Sequence, residues 1–179
     1  NLSPNQLIKV DGKTYAIAMM VNAQHLMYRE DILSDLGIAV PTTYDEMMAA
    51  AEKIAAAGVV DYPIGGTFKT GWNLAEEFAN NYLGEGGDFF GDGNMPSINN
   101  DAGVRALEVM KALTAHMDPE YIVSDSTYVQ QQFQQGKIAM ANLWASRAGA
   151  MDNAEESQVV GKVKMASAPM GSARPMSTI

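Results

Sequence analysis

The sequence predicts a helix-rich α/β domain on a small central sheet, and three observations carry that prediction. Stretches with strand and helix periodicity alternate along the chain, and the helical ones outnumber the strands. The length, 179 residues with 47% hydrophobic and 18% charged side chains, is enough for one ordinary core. Two helices in succession before Gly136 argue against a regular doubly wound sheet.

Lys13 to Val21 sets Tyr15, Ile17 and Met19 on one face and Ala16, Ala18 and Met20 on the other, which predicts a strand buried on both sides. A second short strand spans His25 to Tyr28. Glu30 to Leu36 reads as a short helix closed by Gly37, and Val40-Pro41 marks a fresh start, because the residue before a proline is driven out of the helical region.

Thr43 stands three residues before Glu46, the spacing of a capping box in which hydroxyl and carboxylate satisfy the free amides of the first turn. Met47, Met48, Ala50, Ala51, Ile54 and Ala55 continue as an apolar stripe, and Gly58 ends the helix. A strand over Val59 to Ile64 leads to Gly65-Gly66, and Trp72 to Leu83 forms the next helix. The glycine-rich run from Gly84 to Gly93 is too punctuated for regular structure.

Asn100 or Asp101 caps a long helix through about Met117, with Val104, Leu107, Val109, Met110 and Leu113 facing inward and Asp118-Pro119 stopping it. A helix over Thr127 to Gln135, a strand over Lys137 to Asn142, a helix over Ala145 to Ala154 and a strand over Lys162 to Ala168 complete the order.

Composition excludes several functions. Twelve Lys and Arg against 21 Asp and Glu leave a net charge of −9, a field that repels polyanions such as nucleic acid. The absence of cysteine removes disulfides, zinc thiolates and thiol nucleophiles and is compatible with export. No apolar run reaches the ~20 residues of a membrane-spanning helix. The start, Asn1-Leu2-Ser3-Pro4, has no initiator methionine or signal-peptide architecture, and Arg174 to Ile179 reads like an entering strand. Both ends predict a chain trimmed from a longer one.

No constellation for catalysis stands out. His25, in a strand, and His116, at a helix C-terminus, lie outside any nucleophile motif, and His116 suits a capping role. Glu76 and Glu77 are adjacent on a helix and point in different directions, so they read as ordinary helix residues, not as an acid/base pair. Asp88, Asp92 and Asn94 suggest a calcium loop but lack its central glycine and distal glutamate. Gly84 to Gly87 lacks the lysine and hydroxyl of a phosphate cradle, and the thirteen methionines fall mostly where a core needs filling. No metal and no cofactor is expected.

Trp72 and Trp144 each stand where an element begins or ends, the position at which ligand clefts gather. An aromatic plane covers the apolar face of a sugar while amide, guanidinium or acid groups take its hydroxyls. Burial in the core is the other reading of both residues.

The motif order resembles the family 1 extracellular solute-binding proteins, the receptors of ATP-driven sugar importers. Gly12-Lys13-Thr14-Tyr15-Ala16-Ile17 resembles the family's G-K-x-Y-G-I-P strand, and Leu26-Met27-Tyr28-Arg29-Glu30-Asp31-Ile32-Leu33 is similar to L-x-Y-N-K-D-L-F. Gly37-Ile38 through Pro41-Thr42-Thr43-Tyr44-Asp45-Glu46 resembles G-I-x-x-P-x-T-W-D-E. Gly86-Gly87-Asp88-Phe89-Phe90 resembles G-G-x-x-F, and Phe133-Gln134-Gln135-Gly136-Lys137-Ile138-Ala139-Met140 with Trp144 resembles F-x-x-G-K-x-A-M and its aromatic. Ala16, Ala18 and Arg29-Glu30 depart from the pattern, chiefly in the hinge strand.

The resemblance implies one lobe of a two-lobed, type II periplasmic-binding-protein fold that closes on its ligand like a flytrap. Residues 1–28 would form hinge-crossing strands, residues 29–160 the second lobe, and residues 161–179 a strand returning toward the hinge and first lobe. It implies a monomer that delivers a sugar or oligosaccharide to a membrane permease from the periplasm or cell exterior, free or lipid-anchored. Carried over by position, ligand contacts would come from Asn22, Phe68, Lys69, Trp72, Trp144 and Arg147. A receptor for a polyamine or a phosphorylated polyol is the alternative within the fold. A glycoside-processing enzyme, which needs two carboxylates across a cleft, and a purely structural module are the alternatives outside that role.

Overall fold

The computed structural model describes residues 4–20 and 22–173. Strand β1 (Leu7–Val10) pairs antiparallel with β2 (Lys13–Ile17) in a separate two-stranded sheet. The main sheet has four strands, β3 (Gln24–Arg29), β4 (Tyr62–Gly65), β5 (Ile138–Trp144) and β6 (Val163–Ala166), in the order β4-β5-β3-β6. Only β4 and β5 run parallel, and β3 is antiparallel to both β5 and β6. The sheet is therefore mixed and not regularly doubly wound.

Helices α1 (Glu30–Asp35), α2 (Tyr44–Ala57), α3 (Trp72–Gly84), α4 (Asp101–Thr114), α5 (Ser126–Gln134) and α6 (Ala148–Met151) surround it. Leu26, Ile64 and Met140 from the sheet pack with Ile32, Met47, Ile54, Met110 and Leu113 from α1, α2 and α4. Met27, Ile138, Ala141 and Leu143 pack instead with Val129 and Phe133 of α5 and Met151 of α6. The two clusters sandwich the sheet, and β5 is buried along its whole length.

The caps follow the sequence. The Thr43 hydroxyl accepts from the Glu46 amide at 3.2 Å, while the Glu46 carboxylate accepts from the Thr42 amide and hydroxyl at 2.7 Å. Those bonds, with a lesser one from the Thr43 amide, hold Glu46 below its ordinary range. Gly58 ends α2 in the left-handed region at φ 64°. The Asn100 side chain accepts from the Gly103 amide at 2.9 Å, so Asn100 is the cap of α4. Arg29, which departs from the family pattern, forks onto Asp31 at 2.7 and 2.6 Å and steadies the first turn of α1.

Several expectations need correction. The strand at Lys13 to Val21 is not buried: β2 is exposed throughout, with Tyr15 at 70%, and Met19 beyond it reaches 93%. It pairs only with β1, a strand the sequence did not suggest, and no described element covers the hairpin. Val104 and Leu107 are exposed, because α4 turns its small Ala102 and Ala106 toward Tyr82 of α3, which lets the two helices approach closely. The helix expected over Ala145 to Ala154 is a 3₁₀ turn, Ala145–Arg147, followed by the single turn of α6. The strand expected at Arg174 to Ile179, and Val21, lie outside the described residues.

The return segment is held closely. Ala173 N donates to the Gly84 carbonyl at 3.1 Å, and a Cβ on Gly171 would collide with the Gly84 carbonyl, so only glycine fits there. Among the described residues no helix is long and apolar enough to cross a membrane.

Candidate functional site

Strand pairing brings the site together. Gln24 opposes Trp144 in register, so the chain entering β3 runs beside the chain leaving β5. Asn22 locks the two: its Nδ2 donates to Ser146 Oγ at 3.1 Å, and Ser146 N donates to Asn22 Oδ1 at 3.2 Å. Gly71, with φ 103°, turns the chain into α3 and delivers Trp72 as the first helical residue. The rings of Trp72 and Trp144 stack with centroids 5.6 Å apart and planes 19° from parallel. Trp144 is 8% exposed and Trp72 61%, so Trp72 shields its partner and presents its own outer face to solvent.

Met20, Asn22, Trp72, Ser126, Trp144, Ser146 and Arg147 line a cleft of about 450 Å³. That volume suits a small ligand. Arg147 is fixed by neutral acceptors: Nη1 donates to Gln130 Oε1 at 3.0 Å, and Nη2 donates to Ser126 Oγ at 2.9 Å and Thr127 Oγ1 at 3.2 Å. Beside it Lys69 pairs with Asp125 at 3.0 Å, and Asp125 also accepts from the Thr127 and Tyr128 amides as the cap of α5. The Lys69 ammonium, then those amides, hold the Asp125 carboxyl below its ordinary range.

Four of the six residues carried over from the sequence, Asn22, Trp72, Trp144 and Arg147, thus share one cleft. Phe68 does not line it: the ring is buried in the core, edge-on to Tyr121 at a centroid distance of 6.2 Å. Lys69 is also absent from the lining, engaged with Asp125. Ser126 and Ser146 were missed, since a serine in a loop or cap carries no signal of what lies across from it. Their sequence neighbours, the α5 start and Trp144, were the available hint.

A layer of buried polar side chains joins the same elements. The Thr67 hydroxyl donates to the Glu77 carboxylate, Asn80 Nδ2 donates to Gln24 Oε1 at 2.9 Å, and Asn142 Nδ2 donates to the Tyr44 hydroxyl at 3.3 Å. Gln24 Nε2, Asn80 Oδ1 and Asn142 Oδ1 remain without partners. Burial pushes the Glu77 carboxyl up to about 7 against the lowering effect of the Thr67 hydrogen bond. Glu77 is thus a sealed carboxyl, which adjacency to Glu76 in the sequence did not suggest.

A second depression of about 450 Å³ lies elsewhere, between the start of α2, α4 and Met170 to Ser172. Its Glu85 is already matched, by Arg105 at 3.2 Å, by the Ser172 amide at 3.1 Å and by the Ser172 hydroxyl. Among the described residues no group of three or more His, Asp or Glu side chains is placed to hold a metal.

The model of the bacterial extracellular solute-binding protein family matches residues 3–178. An ABC transporter solute-binding protein from Agrobacterium radiobacter, solved with ribitol, superposes with a TM-score of 0.81 at 26% identity, over 96% of this chain and 43% of that one. Maltose-bound MalE3 of T. maritima superposes with a TM-score of 0.86 at 23% identity, over 99% of this chain and 46% of that one. A multiple sugar-binding protein of Streptococcus mutans is 32% identical over 66 residues, 37% of this chain and 15% of that protein. The chain thus spans less than half the length of the proteins it matches.

Proposed function

Since the chain belongs to the bacterial extracellular solute-binding protein family, we propose that it forms one lobe of a two-lobed receptor that captures a sugar or polyol outside the cytoplasm and delivers it to the permease of an ATP-driven importer. The observation that carries the reading is the open face of Trp72, backed by Trp144 and bordered by Asn22, Ser126, Ser146 and Arg147. A pyranose ring laid on that face buries its apolar C–H groups, and the surrounding groups take its hydroxyls. The ribitol-bound relative supports a hydroxyl-rich solute.

The exposed hairpin of β1 and β2, with Tyr15, Met19 and Met20 uncovered, supports the part of residues 1–28 that precedes β3 as the hinge region meeting the first lobe. Residues 29–160 then make the second lobe together with β3 and β6, which are strands of its main sheet, and the chain beyond β6 leads back. Ligand bridging both lobes favours the closed state by its differential affinity, and closure is what the permease reads. The step is binding without bond breaking. The described cleft lining holds no carboxylate, which disfavours both a polyamine and a glycoside-cleaving pair.

Calorimetric titration of the complete receptor with mono- and oligosaccharides, polyols and polyamines tests the reading. At a hundredfold excess over Kd a true ligand adds about 2.7 kcal/mol of stability. Trp72→Ala should weaken saccharide binding by well over ~1 kcal/mol. Unchanged affinity in that variant would remove the stacking role.

A further inference from the structure

We propose that this cleft selects a saccharide bearing a carboxylate, a uronate in the simplest case, and that Arg147 receives the charge. The inference rests on the solute-binding reading above and specifies its substrate class.

The hydrogen-bond inventory of the cleft is one-sided. Ser126 Oγ accepts from Arg147, Ser146 Oγ accepts from Asn22, and Asn22 Oδ1 accepts from the Ser146 amide. Each of these oxygens has one of its two acceptor sites taken by an N–H group, and each serine hydroxyl keeps its own proton to donate. Arg147 engages one Nη1 and both Nη2 hydrogens on Gln130, Ser126 and Thr127, leaving the Nε hydrogen and one on Nη1. The groups offered to a ligand are therefore mostly donors. A neutral sugar presents hydroxyls that donate as well as accept, and this side of the cleft offers few partners for the donating half.

Charge points the same way. In a chain of net charge −9, no acidic side chain is among the described cleft-lining residues, and no ion pair among the described residues involves Arg147. The guanidinium is half-buried and held by neutral groups only. A carboxylate brought beside it gains charge-assisted hydrogen bonds at the place where the protein supplies no counterion. The site fits a monoanion better than a phosphate dianion. Lys69 is neutralised by Asp125, and Asp125 also occupies the first amides of α5, so neither a second unpaired cation nor the α5 terminus is available.

The test titrates the complete receptor with glucuronate and galacturonate, with glucose and galactose, and with glucose 6-phosphate. The expected result is about tenfold or greater preference for a uronate over its neutral parent, shrinking as salt rises. Arg147→Gln should bring the ratio of uronate to neutral-sugar affinity down to about one, whatever it costs both ligands alike, and Arg147→Lys should restore part of that ratio, with circular dichroism confirming the fold of each variant. Equal affinity for uronate and neutral sugar, or a preference that survives Arg147→Gln, overturns the proposal and leaves saccharide binding intact. Tighter binding of the phosphate ester overturns the monoanion assignment. Failure of every saccharide to bind overturns this proposal together with the reading on which it rests.

Discussion

The open cleft and the sealed polar layer use the same β3, β5 and α3, yet they treat polar groups in opposite ways. Gln24 and Trp144 face each other across one strand pair, and Trp72 and Glu77 lie five positions apart on one helix. In the sealed layer, Gln24, Asn80 and Asn142 are left with orphaned polar atoms, and Glu77 holds its proton up to about neutral pH. In the cleft, hydrogen bonds between Asn22 and Ser146 and between Arg147 and Ser126 take up acceptor sites and leave N–H and O–H donors unengaged. Polar groups shut away from water cost stability unless matched. Those at the cleft remain hydrated and are available for recognition.

The two stacked tryptophans give the sharpest way to break that contrast. Trp144→Ala removes a buried ring and should cost about 3–5 kcal/mol, whereas Trp72→Ala should cost under ~1 kcal/mol, since its ring is mostly solvated. Urea unfolding of the chain followed by far-ultraviolet circular dichroism checks both. Equal losses would mean that the stack is a core feature and not the floor of a site.

Glu77 tests the sealed side. Its folded carboxyl keeps a proton up to about pH 7, while the unfolded one releases it near the ordinary 4.5. Its contribution is therefore fully present below pH 4.5 and is lost as pH rises through 7. Glu77→Gln should flatten that window and stabilise the chain at pH 8 by on the order of 3 kcal/mol. Glu76, raised by burial, acts in the same direction, so the double variant should be flatter still. An unchanged pH profile in Glu77→Gln would show that water reaches the layer.

Thr43→Ala serves as a reference outside both regions. Loss of the cap should cost about 1 kcal/mol with no effect on ligand. The smallest effect is expected at Asp125→Asn, which keeps the cap oxygen but frees Lys69 near the cleft. Affinity for an acidic sugar should rise about two- to fivefold at low salt and return to the parent value at high salt. A neutral sugar should not respond.

The sequence was most legible where local chemistry decides structure. Thr43, Glu46 and Gly58 bounded α2, Asn100 capped α4, and the first strand of the main sheet fell where His25 to Tyr28 predicted it. Apolar patterning was less reliable about partners. Tyr15, Val104 and Leu107 are apolar on regular faces, but periodicity says only that a face is suited to burial, not that anything covers it. In the cleft the tryptophans stood out by residue type and position, while Asn22 and Arg147 came only from the family resemblance. Ser126 and Ser146 came from neither, because their use depends on residues 20 or more positions away, Arg147 in one case and Asn22 in the other. Glu77 was hidden for the same reason, its burial being created by Thr67 and the sheet.

The stack of Trp72 on Trp144 also makes the chain its own optical probe. These are the two tryptophans of the sequence, so all indole emission from this chain originates in the cleft. Two indoles stacked at this separation couple their strong far-ultraviolet transitions and give a paired dichroic signal whose sign and size follow the angle between them. A ring laid on Trp72 displaces water from an exposed indole, and any rotation of α3 against β5 unbalances the couplet. Occupancy and geometry can thus be followed in one unlabelled sample, by two signals that need not change together.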